Sequence, residues 1–245
     1  MYKNYIFDLY GTLVDIRTNE SKAYLWEKIA AFYGLQGARY TAKEFKAAYV
    51  KYCKEEMEKV KKETGAEHPE IELEKVFLRL FQEKDVNADM KLAVYAGQMF
   101  RVISTNYIKV YDGVIEFLED LKKQQKKVYL LSNAQYIFTK YEMDYLDITK
   151  YFDGIVISSK EQCEKPDTAF YQIVLERYGL KPEESIMIGN DLITDIKGSL
   201  DAGLDSLYIH SNISPNHEVP CLAKYKVMDG DFRKLSSLIL KMKEN

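Results

Sequence analysis

The feature that most limits the fold is a short apolar run that ends on an acid. Tyr5-Ile6-Phe7 leads into Asp8-Leu9-Tyr10-Gly11-Thr12-Leu13-Val14-Asp15. Consecutive apolar residues suit a central strand buried on both faces, as parallel sheets require. The carboxylate of Asp8 closes the run, and Gly11 supplies a turn. Ligands bind beyond the carboxyl ends of the strands in open parallel sheets. Asp8 is therefore predicted at the mouth of the sheet, facing a ligand. Such a carboxylate is costly to desolvate without a cation or hydrogen-bond donors.

The remaining sequence supplies a sheet of this kind, after an interruption. From Ile16 to Asn106 it reads as successive helices. Tyr24, Leu25, Ile29 and Phe32 share one helical stripe; Phe45, Tyr49, Tyr52 and Val60 another. Thr41 with Glu44 three residues on predicts a capping box, and Gly65 a stop. Val76, Phe77, Leu80 and Phe81 predict a third helix, and Met90–Ser104 a fourth. Trp26 beside the first stripe is expected to be core. From Tyr107 onward strands alternate with helices: Lys127–Leu131, Gly154–Ile157, Ser185–Ile188 and Leu207–Ile209 are the strands, with Tyr225–Met228 as an edge strand. Leu235, Leu238, Ile239 and Met242 predict a last helix. Alternation of this kind predicts an α/β fold, a Rossmann-like parallel sheet with helices on both faces. The expected division is a core of residues 1–15 and 107–245, with residues 16–106 inserted as a helical domain.

Composition narrows the partners. A net charge of −3 leaves no basic footprint for nucleic acid, and no apolar run is long enough to span a membrane. Cys53, Cys163 and Cys221 are odd in number and lack metal-ligand spacing, which fits reduced thiols in a cytoplasmic protein. The expectation is a cytoplasmic monomer or homodimer acting on a small molecule.

Polar groups gather at the ends of the predicted strands. Asp8 ends the first, Ser132 and Asn133 the second; Lys165 follows the third, and Asn190, Asp191 and Asp195 follow the fourth. Singly, each has an ordinary alternative as a cap, a turn residue or an ion pair. Together they describe phosphoryl-transfer machinery: a carboxylate nucleophile, a cation, hydroxyl donors from Thr12 and Ser132, and turn N–H groups around Gly11. Several acids in one crevice also call for Lys165 or a metal such as Mg2+, which takes oxygen ligands.

These motifs resemble the haloacid dehalogenase-like hydrolase superfamily. The matching pieces are Asp8–Asp15, Leu131-Ser132-Asn133, Lys165-Pro166-Asp167, Gly189-Asn190-Asp191 with Asp195, and Asp201-Ala202-Gly203. The resemblance implies a mobile helical cap over a Rossmann-like core. It implies Asp8 as nucleophile, Thr12 and Ser132 as ligands of the transferred group, and Lys165 as the cation that steadies the nucleophile and the intermediate. It assigns Mg2+ to Asp8, the Tyr10 main-chain carbonyl, Asp191 and Asp195, with Asn190 beside them; Gly11 and Asn133 contact substrate. Tyr10 stands where the superfamily's phosphatases carry an acid/base aspartate, and a phenol is a poor acid at neutral pH. The 2-haloacid dehalogenases of the superfamily carry tyrosine there, need no leaving-group proton, use no metal, and cradle halide with a cap arginine, for which Arg17 and Arg39 are candidates. The leading expectation is a Mg2+-dependent phosphatase of a small phosphorylated metabolite. The alternatives are a dehalogenase and a non-hydrolytic phospho-acceptor module. The Gly34–Tyr40 turn, with Arg39, is expected to be the cap loop that reaches the site. His68, His210 and His217 are expected to be surface or loop residues.

Overall fold

A computed structural model describes residues 2–235. Strand β1 (Asn4–Phe7) is followed by β2 (Val14–Thr18), then by four helices: α1 (Ala23–Leu35), α2 (Ala42–Thr64), α3 (Leu73–Gln82) and α4 (Met90–Ser104). β3 (Thr105–Val110) returns antiparallel to β2. There follow α5 (Val114–Lys123), β4 (Lys127–Ser132), α6 (Tyr136–Tyr145), β5 (Gly154–Ile157), α7 (Ser158–Glu161) and α8 (Thr168–Tyr178). The described chain closes with β6 (Ser185–Gly189), a π-helical turn over Leu192–Lys197, α9 (Gly198–Asp201), β7 (Asp205–Ile209) and β8 (Tyr225–Val227).

Six strands form one parallel sheet in the order β5-β4-β1-β6-β7-β8. β1 lies inside it, as its uninterrupted apolar run requires. Phe7 is level with Leu130 of β4 and Ile188 of β6, so Asp8, Ser132 and Asn190 emerge along the same edge. Tyr5 and Phe7 pack on one face with Phe117, Leu118 and Leu121 of α5. Ile6 and Met187 pack on the other with Phe170, Tyr171 and Val174 of α8. The alternation along β1 thus feeds two separate cores.

Helices α1–α4 bury a third cluster, built on aromatic rings. Tyr33 stacks on Phe81 at 3.9 Å, and Trp26 packs edge-on against Phe100 at 5.5 Å, as its place beside the stripe predicts. The capping box at Thr41 and Glu44 is present, and Gly65 ends α2 with φ 69°. Cys53, Cys163 and Cys221 are free thiols. Among the described residues no helix is long and apolar enough to cross a membrane.

Three expectations change. The segment from Ile16 to Asn106 is not helical at its ends: β2 and β3 pair there, with Ile16 opposite Ile108 and Asp15 opposite Lys109. The two halves of that ribbon are far apart in sequence, so local periodicity carries no trace of the pairing. The edge strand stops at Val227; of the last helix signal Leu235 is helical, and Leu238, Ile239 and Met242 lie outside the described residues. Finally, the Gly34–Tyr40 turn does not reach the sheet. Thirteen residues of α1 carry the chain about 20 Å from the β2 end of the block. There Tyr40 donates to the Leu80 carbonyl at 2.7 Å, and Arg39 is exposed.

The connection between α2 and α3 reaches the sheet edge instead. Glu164 N–H donates to the His68 carbonyl at 2.9 Å, and Glu70 N–H to the Gln162 carbonyl at 3.3 Å. Gln135 donates to the Ile71 carbonyl at 2.9 Å and to Glu70 Oε1 at 3.0 Å, and accepts from Leu73 N–H at 3.0 Å. Lys160 bridges to Glu72 and Glu74.

Candidate active site

Asp8 leaves β1 at the centre of the sheet edge, with its backbone N–H bonded to the Ile188 carbonyl at 3.0 Å. The next residues wind into a tight turn in which Leu13 and Val14 N–H groups both donate to the Leu9 carbonyl. That turn places Thr12 Oγ1 3.1 Å from Asp8 Oδ2. Ser132, arriving on β4, donates to Asp8 Oδ1 at 3.4 Å. Lys165 Nζ reaches the same oxygen at 2.8 Å and Asp195 Oδ1 at 2.7 Å. The crevice therefore unites Asp8, Thr12, Ser132, Lys165 and Asp195, all of them buried.

Lys165 is 2% exposed, and burial on its own lowers the pKa of an ammonium. Asp195 and Asp8 more than offset that burial, and the net effect raises the Lys165 pKa. Burial raises the Asp195 pKa, Lys165 opposes this, and repulsion from Asp8 adds to it. Asn133 holds the lysine segment from the side: its amide donates to the Lys165 carbonyl and accepts from the Lys165 N–H, both at 2.8 Å. Asn133 thus positions Lys165 through the backbone.

The last motif divides its carboxylates differently from expectation. The resemblance gives Asp195 to a metal. In the structure its Oδ1 is taken by Lys165, and its Oδ2 accepts the N–H groups of Asn190 and Asp191, each at 3.0 Å. It is an anchor for lysine and turn. Gly189 permits this, since a Cβ there would stand 2.3 Å from the Asp195 carboxyl carbon. Asp191 caps the π-helical turn, its Oδ1 accepting from Ile193 and Thr194 N–H and lying 3.1 Å from His217 Nε2. Asn190 meets the Asp8 turn: Thr12 Oγ1 lies 3.2 Å from its Oδ1, and Gly11, at φ +85°, leaves room for its amide.

No group of three or more His, Cys, Asp and Glu side chains gathers as a metal cluster among the described residues. The oxygen donors around Asp8 still have the hard character that Mg2+ takes. The donors are the Asp8 carboxylate and Asn190 Oδ1, which share Thr12 Oγ1 as a neighbour. These donors bring less negative charge than two further aspartates would.

Tyr10 turns its ring out of the crevice. Its hydroxyl donates to Glu142 and lies 3.1 Å from Thr139 Oγ1. Burial raises the phenol's pKa, Glu142 adds to the shift, and Arg101 opposes it. Tyr10 is thus a neutral donor spent away from Asp8. Arg39 and Arg17 are not drawn in. Arg101 is the half-buried arginine near the motif, and it pairs with Glu142 at 2.6 Å. Sequence reading misses Arg101, Glu142, Gln135 and Glu70, and it places His217 in a loop without its contact to Asp191. None has a local signature, because each acts on a partner from a distant segment.

A family model described as haloacid dehalogenase-like hydrolase matches residues 2–203. Pyrimidine 5'-nucleotidase PynA of Streptococcus pneumoniae is 24% identical over 222 residues, covering 88% of this chain and 87% of that protein. A glyceraldehyde 3-phosphate phosphatase of Methanothermobacter thermautotrophicus is 27% identical over 133 residues. That match covers 54% of this chain and only 57% of the relative's own length. Among solved structures, a 2-haloacid dehalogenase from Pseudomonas syringae pv. Tomato DC3000 superposes with a TM-score of 0.62 at 18% identity, covering 99% of this chain and 100% of that one. At that identity the likeness is one of fold.

Proposed function

Because the chain belongs to the haloacid dehalogenase-like hydrolases, we propose that it is a Mg2+-dependent phosphatase of a small phosphorylated metabolite, working through a covalent intermediate on Asp8. One observation carries the reading: the Asp8 carboxylate is held by Lys165, Thr12 and Ser132, with Asp195 behind the lysine. The phosphatase names of the relatives favour phosphorus over carbon as the centre attacked.

In the first step an Asp8 oxygen attacks phosphorus and the bond to the leaving oxygen breaks. Water then attacks the aspartyl phosphate, releasing phosphate and restoring Asp8. Thr12, Ser132 and the turn N–H groups around Gly11 receive the phosphoryl oxygens, and Lys165 balances their charge. Asp8, Asn190 and the Tyr10 carbonyl would hold Mg2+, with Asp191 at its edge, and the ion would supply further positive charge there. Residues 16–106 act as a cap on a core of residues 1–15 and 107–245, closing on the α2–α3 connection and excluding water.

With Tyr10 turned away, nothing in the first motif protonates the leaving oxygen. Aryl and acyl phosphates are therefore expected to turn over faster than alkyl phosphates. Steady-state rates on such a panel with Mg2+ check this, and equal rates on poor leaving groups would refute it. Asp8→Asn should abolish turnover. Tyr10 also favours a second reading, dehalogenation of a 2-haloalkanoate by the same Asp8. Halide release that persists in a chelator would decide for it. A stable aspartyl phosphate with no phosphate release would identify a phospho-acceptor instead.

A further inference from the structure

We propose that Arg101 and Glu142 are positioning residues that act on Asp8 through Tyr10, so that the seating of α4 on α6 sets the turn that carries the nucleophile. The functional half of this rests on Asp8 being the nucleophile; the mechanical half does not.

Tyr10 lies two residues past Asp8, inside the turn closed by Leu13 and Val14 on the Leu9 carbonyl. Its side chain is the turn's tie to the helices. The hydroxyl donates to Glu142 Oε2 on α6, beside Thr139 of the same helix. Glu142 is in turn gripped from α4: Arg101 Nε donates to Oε1 at 2.6 Å and Nη2 to Oε2 at 3.3 Å. A fork of this kind fixes orientation as well as distance. The guanidinium also lies 5.5 Å from the centre of the Tyr10 ring and 5.3 Å from that of Phe138. Both members of the ion pair are largely buried, with side chains 18% and 14% exposed, so the contact is not a solvent-screened surface pair.

A second route runs through the backbone. The Arg101 carbonyl accepts from Ser104 Oγ at 2.9 Å and Thr105 Oγ1 at 2.7 Å, where α4 passes into β3. β3 pairs with β2, which leaves the same turn at Val14. Arg101 thus stands where the helical block meets the loop after Asp8 twice, at Tyr10 through Glu142 and at its β2 end through β3. If α4 shifts on α6, the fork opens, Glu142 loses its counter-charge, and Tyr10 loses a fixed acceptor. Asp8 then faces substrate on a looser turn.

The test compares Arg101→Leu, Arg101→Lys, Glu142→Gln and Tyr10→Phe with the wild type, using an aryl phosphate with Mg2+. Each of the three disruptive variants is expected to lower kcat by about tenfold, the loss of roughly one buried charged hydrogen bond, with KM within about twofold. Tyr10→Phe combined with Glu142→Gln should cost no more than either alone, because the residues form one chain. Arg101→Lys should recover part of the loss. Amide exchange of Leu9–Val14 without substrate should quicken in Arg101→Leu. Rates within twofold of wild type, additive losses, or a rise in KM alone would overturn the proposal. If Asp8→Asn retains full turnover, the nucleophile reading has failed and exchange decides the mechanical coupling alone; unchanged exchange of the Leu9–Val14 amides overturns it. Should Arg101→Leu fail to fold, Glu142→Gln carries the same exchange measurement.

Discussion

Glu70→Gln should raise the melting temperature at pH 8 and change it little near pH 5. Glu70 lies in the α2–α3 connection and is half-buried where that connection sits on the sheet edge. Its oxygens accept from Ile71 N–H at 2.8 Å, the Gln135 amide at 3.0 Å and the Ser158 hydroxyl at 3.4 Å, and none of these donors is charged. Burial therefore dominates and lifts its pKa from 4.5 to about 7; the Ile71 N–H opposes this and Glu164 adds to it. A raised acid binds its proton more tightly folded than unfolded. The stability it contributes is complete below the unfolded value near 4.5 and is lost as pH rises through about 7. At 1.36 kcal/mol per unit, the loss above pH 7 is at most about 3 kcal/mol. Glutamine carries no such penalty and can keep the bonds to Ile71 and Gln135 through its carbonyl. For a chain of this size that is up to about 10 °C. Calorimetric melts of both proteins from pH 5 to 8.5 would check it. A melting difference that stays constant across that range would refute the assignment of the penalty to this carboxylate.

Two further outcomes concern the crevice. Lys165→Met leaves Asp8 and Asp195 facing each other without a cation; it should abolish turnover and cost about 3–5 kcal/mol in urea unfolding, part of which Asp195→Asn in the same chain restores. Gly11→Ala should cost about 1–3 kcal/mol by the same measurement and lower activity, because it forces a side chain into φ +85° with its Cβ 2.3 Å from the Asn190 amide.

What the sequence disclosed about the site was the order of its parts, and the sheet register explains why that was enough. Once Phe7, Leu130 and Ile188 are level, the residues after them must share one edge. The helices of the block were equally legible, because apolar stripes and the Thr41 capping box are local signals. Roles within the crevice were not. Asp191 and Asp195 are the same residue type, and what separates them is where backbone N–H groups point: two of them claim Asp195, and Asp191 is turned to cap its own helix. Arg39 looked suitable by charge and by its neighbouring glycine, yet the direction of α1 carries it away. The ribbon of β2 and β3, the clasp of Gln135 on the block, and the contact of His217 with Asp191 all join segments that no window of sequence spans.

The placement of β1 has a consequence for how the protein comes into being. Asn4 is level with Lys127 on one side and Ser185 on the other, so a ribosome delivers the entire helical block, and then β4, β5 and the helices around them, before this strand has both neighbours. Closing such long loops is slow, and an apolar strand with open edges is prone to pair with other chains meanwhile. The helical block has its own aromatic interior and can condense early. Asp8 is made well before Ser132, Lys165 and Asp195, and it waits for each of them to acquire its surroundings.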